Sequence, residues 1–175
     1  MTATRRPQIF VAFRTFVVAT AFILLWVGLA VLVRRIDPWF QVPLPSWLRP
    51  VGVVMAIAGA LLALTCIVAF AIRGRGTPAP FDPPREFVAY GPYRFVRNPM
   101  YVGGIAVIAG AGLALSSPAI VLLGMLAFAA FHLFVVFYEE PTLARLFGDN
   151  YLRYKASVSR WRIRRPRPNA RHAVG

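Results

Sequence analysis

Apolar positions in this chain come in long unbroken runs. Thr15 to Val33 is nineteen residues without a charge, Val51 to Ile72 is twenty-two, and Met100 to Tyr138 is thirty-nine. About twenty apolar residues, wound as a helix, cross the hydrocarbon core of a bilayer. The first two runs therefore predict one membrane span each. The third is too long for one span and right for two joined by a tight turn. Ser116-Ser117-Pro118 supplies that turn, since proline suits the first position of the helix that follows. The pattern predicts an all-α fold: an integral membrane bundle of four transmembrane helices, near 13–33, 51–72, 100–115 and 119–138.

After the last run the pattern changes. Pro141 is expected to open a short helix, Gly148 to end it, and Asp149 or Asn150 to cap another. Leu143, Phe147, Tyr151, Tyr154 and Val158 recur at helical spacing and form one apolar-aromatic face. This predicts a C-terminal amphipathic segment that lies in the interface or closes over a ligand, with Tyr151 and Tyr154 as lid residues. Asp37 to Pro50 holds four prolines and two tryptophans, the composition of an interfacial loop. Arg73 to Pro84 reads as an irregular connection. Residues 1–165 form one membrane domain, its polar site-bearing part at 87–161, and 166–175 form a disordered basic tail.

The composition agrees: 58% of the 175 residues are hydrophobic and only 15% charged, which excludes an ordinary soluble domain. A net charge of +14 would suit nucleic acid, but its placement argues against that partner. Three basic residues precede the first span, five (Arg73, Arg75, Arg85, Arg94, Arg97) lie between the second and third, and nine follow the fourth. Only Arg34, Arg35 and Arg49 fall on the other side. Cytoplasmic segments retain Lys and Arg, so both termini are expected in the cytoplasm. The single cysteine, Cys66, allows no disulfide within the chain and no cysteine metal site; no metal is expected.

Two polar segments are expected to meet at the cytoplasmic end of the 100–138 hairpin. The first is Gly91 to Tyr101, GPYRFVRNPMY. Asn98-Pro99 reads as a helix start, whose free N–H groups favour an anion. Arg97 stands beside it and suits a carboxylate, while Arg94 and Arg97 are also ordinary boundary anchors. Tyr93 and Tyr101 offer rings to a heterocycle. Gly103 and Gly104 allow close approach by a helix or a ligand. In the second segment His132 and Glu139 share a face if the helix is continuous. Glu139-Glu140, two carboxylates at a membrane boundary, ask for a cation: a ligand's, or Arg94 or Arg97.

GPYRFVRNPMYVGG, an apolar hairpin and then YEEPTLARLFGDNYLRYKASVSRW together resemble the isoprenylcysteine carboxyl methyltransferase-like family, to which phospholipid N-methyltransferases are related. The resemblance covers Phe87 to Trp161. It implies an integral membrane methyltransferase that uses S-adenosylmethionine on a lipid or lipid-linked acceptor, a carboxylate or an amine, at the cytoplasmic face. The family's Arg-His-Pro-x-Tyr element falls on Arg97, Asn98, Pro99 and Tyr101, its Glu-Glu on Glu139 and Glu140, and its Tyr-x-x-Tyr on Tyr151 and Tyr154. Asn98 replaces the family's histidine, and Val158-Ser159 stands where Val-Pro is common. The expected cofactor site joins Tyr93, Arg97 through Pro99, Tyr101, Gly103, Gly104, His132, Glu139, Glu140, Tyr151 and Tyr154. Arg97 would hold the methionine carboxylate and Glu139 or Glu140 the ammonium. Arg94 or Arg153 would orient an anionic acceptor. Glu139, Glu140 or His132 would take the proton of an amine. Two other readings fit the same chain: an NADPH-dependent membrane reductase of related terminal fold, and a non-catalytic four-span protein that binds lipid or a partner.

Overall fold

The computed structural model describes residues 8–40, 43–69 and 90–162. The Arg73–Pro84 connection, the end of the second expected span and the 166–175 tail lie outside the described residues. Among those described, every regular element is helical: α1 (Gln8–Arg34), α2 (Leu48–Ala69), α3 (Pro99–Ala114), α4 (Pro118–Phe134) and α5 (Glu140–Ser157), with 3₁₀ turns at Asp37–Trp39 and Gly91–Arg94. Two helices are long and apolar enough to cross a membrane, α2 and the continuous Pro118–Ser157; Thr20–Arg34 and Pro99–Ala114 are apolar but shorter.

The radial pattern inverts that of a water-soluble bundle. Small residues predominate where α2, α3 and α4 are buried: Gly52, Gly59, Cys66 and Ala69 of α2, Gly103, Gly110 and Gly112 of α3, and Ala119, Gly124 and Ala127 of α4, with Ile120 the large exception. Large side chains face out, Leu24, Val54, Leu61 and Leu126 each being about three-fifths exposed or more. With lipid as solvent, burying a leucine gains little, and close backbone packing holds helices together instead. The α2–α3 pair is the clearest case. A Cβ on Gly103 would stand 2.7 Å from the Gly59 carbonyl oxygen, and one on Gly59 would stand 2.6 Å from that of Gly103.

The turn between α3 and α4 forms as the Ser-Ser-Pro triplet predicts, with two additions. Ser116 adopts a left-handed φ of 51°. The Ser117 N–H donates to Gly112 O at 2.8 Å and that of Ser116 to Leu113 O at 3.1 Å, the bond pair that closes a helix C-terminus. Ser117 Oγ then caps α4 by accepting from Ile120 N at 3.2 Å. From the α1–α2 loop, Asp37 Oδ1 accepts from Ser117 Oγ at 2.9 Å and from Ala119 N at 3.0 Å. Arg49 Nε donates to Ser116 Oγ at 2.9 Å. The α1–α2 loop and the α3–α4 turn are thus bolted together at one end of the bundle, and the polar segments gather at the other.

Pro141 does not open a separate helix. The chain runs from α4 into α5 through a π-helical turn at Val135–Glu139, where Glu140 N–H bonds the Val135 carbonyl five residues back. Proline lacks an N–H and its ring clashes with the carbonyl four residues earlier; the wider turn accommodates both. Gly148 does mark a break, a kink at φ 51° and ψ −131° inside α5.

Candidate functional site

The site is built where the segment before α3 meets α5 and the strap that follows it. Tyr90 to Asn98 first makes a 3₁₀ turn through Gly91-Pro92. The Tyr93 hydroxyl reaches Cys66 on α2, and the Tyr93 carbonyl accepts the Tyr154 hydroxyl at 2.6 Å. Tyr151, Tyr154 and Val158 are buried together, with Leu143, Ala144 and Phe147 against them. The amphipathic face read from the sequence therefore forms, and part of it turns toward the protein and covers the first segment. Beyond α5 the strap is stitched down by Arg97 N to Ser159 O at 2.9 Å and by Asn98 Nδ2 to Arg160 O at 3.2 Å. Asn98 is thus not a side-chain cap of α3; its buried amide is spent on the strap.

Glu139 and Glu140 are adjacent but occupy different environments. Glu140, 4% exposed, is a hub for three cations. Arg160 Nε and Nη2 donate to its Oε1 and Oε2 at 2.6 and 3.0 Å. Lys155 Nζ stands 2.9 Å from Oε2, and Arg97 Nη1 stands 3.2 Å from Oε1. Burial alone would push this carboxyl up; the Arg160, Lys155 and Arg97 charges outweigh it and hold the carboxyl down at about 2. Glu139 sits one residue past the last apolar span. Among the described residues its hydrogen-bond partner is Tyr101, whose hydroxyl donates to Oε2 at 3.0 Å. Burial pushes the Glu139 carboxyl up, as does the neighbouring Glu140 charge, while the Tyr101 bond only partly offsets them. Two neighbouring carboxyls pushed in opposite directions mark different tasks. Burial also pushes the Tyr151 phenol up to about 12 and the Tyr93 and Tyr154 phenols up, so these hydroxyls remain neutral donors.

His132 and Glu139 take different partners. Its Nδ1 accepts the Trp161 indole N–H at 3.0 Å, whereas Glu139 is held by Tyr101. A π turn advances fewer degrees per residue than an α turn, so the seven-residue spacing no longer returns to one face. Gly103 packs on α2, while nothing lies within 4 Å of where a Cβ on Gly104 would sit. Pro99 is fully buried at the start of α3. Tyr101 stacks on Phe131 with ring centroids 4.9 Å apart. Arg94 and Arg153 are exposed, Arg153 donating to Asn150 Oδ1 at 2.6 Å; among the described ion pairs neither joins Arg97, Lys155 and Arg160 on Glu140.

Arg97 carries an unresolved demand. Its side chain is only 10% exposed. It reaches the Tyr151 side chain, yet its Nε and Nη1 are buried without a hydrogen-bond partner. Buried donors of this kind call for an explanation. Three cations around one ionised carboxylate leave surplus positive charge, which suits an anionic ligand group. Lys155, Ser159, Arg160 and Trp161 were not legible as site members. In the sequence, Lys155 falls off the aromatic face and Ser159 to Trp161 merge into an Arg-rich tail. The usable signal was the buried carboxylate pair, which required more cations than Arg97.

Comparison with known proteins bears on this geometry. The sequence profile of the phospholipid methyltransferases matches residues 47–150. A phosphatidylethanolamine N-methyltransferase of Pyrenophora tritici-repentis (strain Pt-1C-BFP) is 37% identical over 81 residues, 46% of this chain and 9% of that relative. The match thus takes in less than a tenth of the relative's own length. No solved structure matches. The profile spans more than half of the chain, from α2 through the two carboxylates into α5; the chain belongs to the phospholipid methyltransferase family.

Proposed function

We propose that this protein is an S-adenosylmethionine-dependent methyltransferase acting on the amine of a phospholipid headgroup. The observation that carries the reading is the junction of two distant polar segments on Glu139 and Glu140, Glu139 bonding Tyr101 across 38 residues of sequence. Family membership and the relative's name support a lipid amine over a carboxylate. When bound, S-adenosylmethionine supplies an electrophilic methyl group. Its carboxylate, ammonium and adenine find complements here. Arg97 has buried donors without partners, Glu139 is a partly buried carboxyl that Tyr101 holds through Oε2, and the packed Tyr151 and Tyr154 supply an aromatic wall.

Each side chain has a task in this reading. Arg97 holds the anionic group. Glu139 faces a cationic amine, or takes its proton; burial raises its basicity toward that of a useful general base. Glu140 is committed to Arg97, Lys155 and Arg160 and organises the site. His132 and Trp161 fix the strap, and the strap excludes water. In-line methyl transfer needs positioning more than a nucleophilic side chain. In this reading α1 and α3 add two further spans to make four, and the excess of Lys and Arg on one side supports a site at the cytoplasmic face.

The test is transfer of labelled methyl from S-adenosylmethionine to phosphatidylethanolamine vesicles by the purified protein in detergent. N-methylated phosphatidylethanolamine is the expected product. Absence of labelled lipid, with no calorimetric binding of S-adenosylhomocysteine, would sink the proposal.

A further inference from the structure

The three cations at Glu140 do not share it equally. Arg160 takes the side-on fork, with Nε on Oε1 at 2.6 Å and Nη2 on Oε2 at 3.0 Å. A carboxylate accepts one guanidinium in this parallel arrangement. Lys155, nearly half exposed, adds a point charge at Oε2. Arg97 is left beside Oε1 at 3.2 Å, with Nη1 out of hydrogen-bond alignment and Nε without an acceptor. The more buried guanidinium is therefore the less satisfied one. The reverse pairing would let Arg97 spend its donors on Glu140. Arg160 is held in place from its backbone, by the Asn98 amide on its carbonyl and by the flanking Ser159 and Trp161 bonds.

We propose that Arg160 is a positioning residue: it fills the Glu140 fork so that Nε and Nη1 of Arg97 keep their donors for an anionic ligand group. The identity of that anion rests on the proposed function. It is either the cofactor's carboxylate or the phosphate of a phospholipid headgroup.

Calorimetry on Arg160→Gln in detergent separates the cases. The probes are S-adenosylhomocysteine, its decarboxylated analogue, which keeps the amine, and short-chain phosphatidylethanolamine. If the anion is the carboxylate, S-adenosylhomocysteine weakens by about tenfold or more while the decarboxylated analogue is unchanged. If it is the phosphate, the lipid weakens by a similar factor and both nucleosides hold. Equal loss of all three ligands, or no change in any, overturns the inference. Arg160→Lys keeps the charge but cannot fill both fork positions, so it gives a smaller loss on the same ligand; wild-type affinity there also overturns it. A wild-type protein that binds neither nucleoside defeats the methyl-donor reading instead. The lipid arm then decides the Arg160 question alone, loss supporting it and constancy refuting it.

Discussion

Glu140→Ala removes the one ionised carboxylate on which three cations converge, and its cost can be built from the contacts. Lys155 is 44% exposed, so solvent screens it and its share is at most about 1 kcal/mol. Arg160 has a 28% exposed side chain and loses a charge-assisted fork, typically about 1.5–3 kcal/mol. Arg97, at 10% exposure, is left as a buried cation beside a second one, the situation in which breaking a buried pair costs about 3–5 kcal/mol. These shares overlap, because all draw on the same two oxygens, so the expected loss is about 3–5 kcal/mol in total. Reversible unfolding by SDS titration in mixed micelles, followed by helicity, measures it. The pair Glu140→Gln and Arg97→Gln completes a double-mutant cycle, with an expected coupling of about 1.5–3 kcal/mol. A loss below about 1 kcal/mol for Glu140→Ala, or strict additivity in the cycle, would show that Glu140 is not the hub. The acid limb provides an independent check. The folded Glu140 carboxyl is held at about 2, below its ordinary 4.5. Its contribution is therefore complete above the ordinary value and is lost as pH falls through the folded one. Glu140→Gln should flatten that limb.

Gly103→Val places a side chain against the Gly59 carbonyl and should cost about 1–3 kcal/mol by forcing α2 from α3, whereas Gly104→Ala should stay within about 0.5 kcal/mol; equal effects in the same unfolding assay would refute the packing. Asp37→Ala removes the single Oδ1 acceptor shared by Ser117 Oγ and Ala119 N and should cost about 1–2 kcal/mol, an effect that Ser117→Ala should partly mask. Glu139→Gln keeps an acceptor for Tyr101 and removes a charge that burial disfavours. Because the Glu139 carboxyl is raised in the folded protein, wild-type stability falls as pH rises from the ordinary carboxylate value through the raised one. The variant should be level there, and a wild-type profile just as level would contradict the environment assigned to Glu139.

Local chemistry determined much of this protein. Charge-free run lengths set the helical class, Ser116-Ser117-Pro118 set the hairpin, and the recurrence of Leu143, Phe147, Tyr151, Tyr154 and Val158 marked the face that packs. These follow from chain geometry and side-chain period, which a linear reading contains. Pairing across space was decided only by the tertiary structure. Whether Glu140 met Arg94, Arg97 or Arg160 depended on where the strap crosses. Whether His132 faced Glu139 depended on a π turn that Pro141 makes favourable but no spacing rule announces. A carboxylate states that it needs cations; which ones reach it is settled by the backbone that carries them, and here that backbone is the strap after α5.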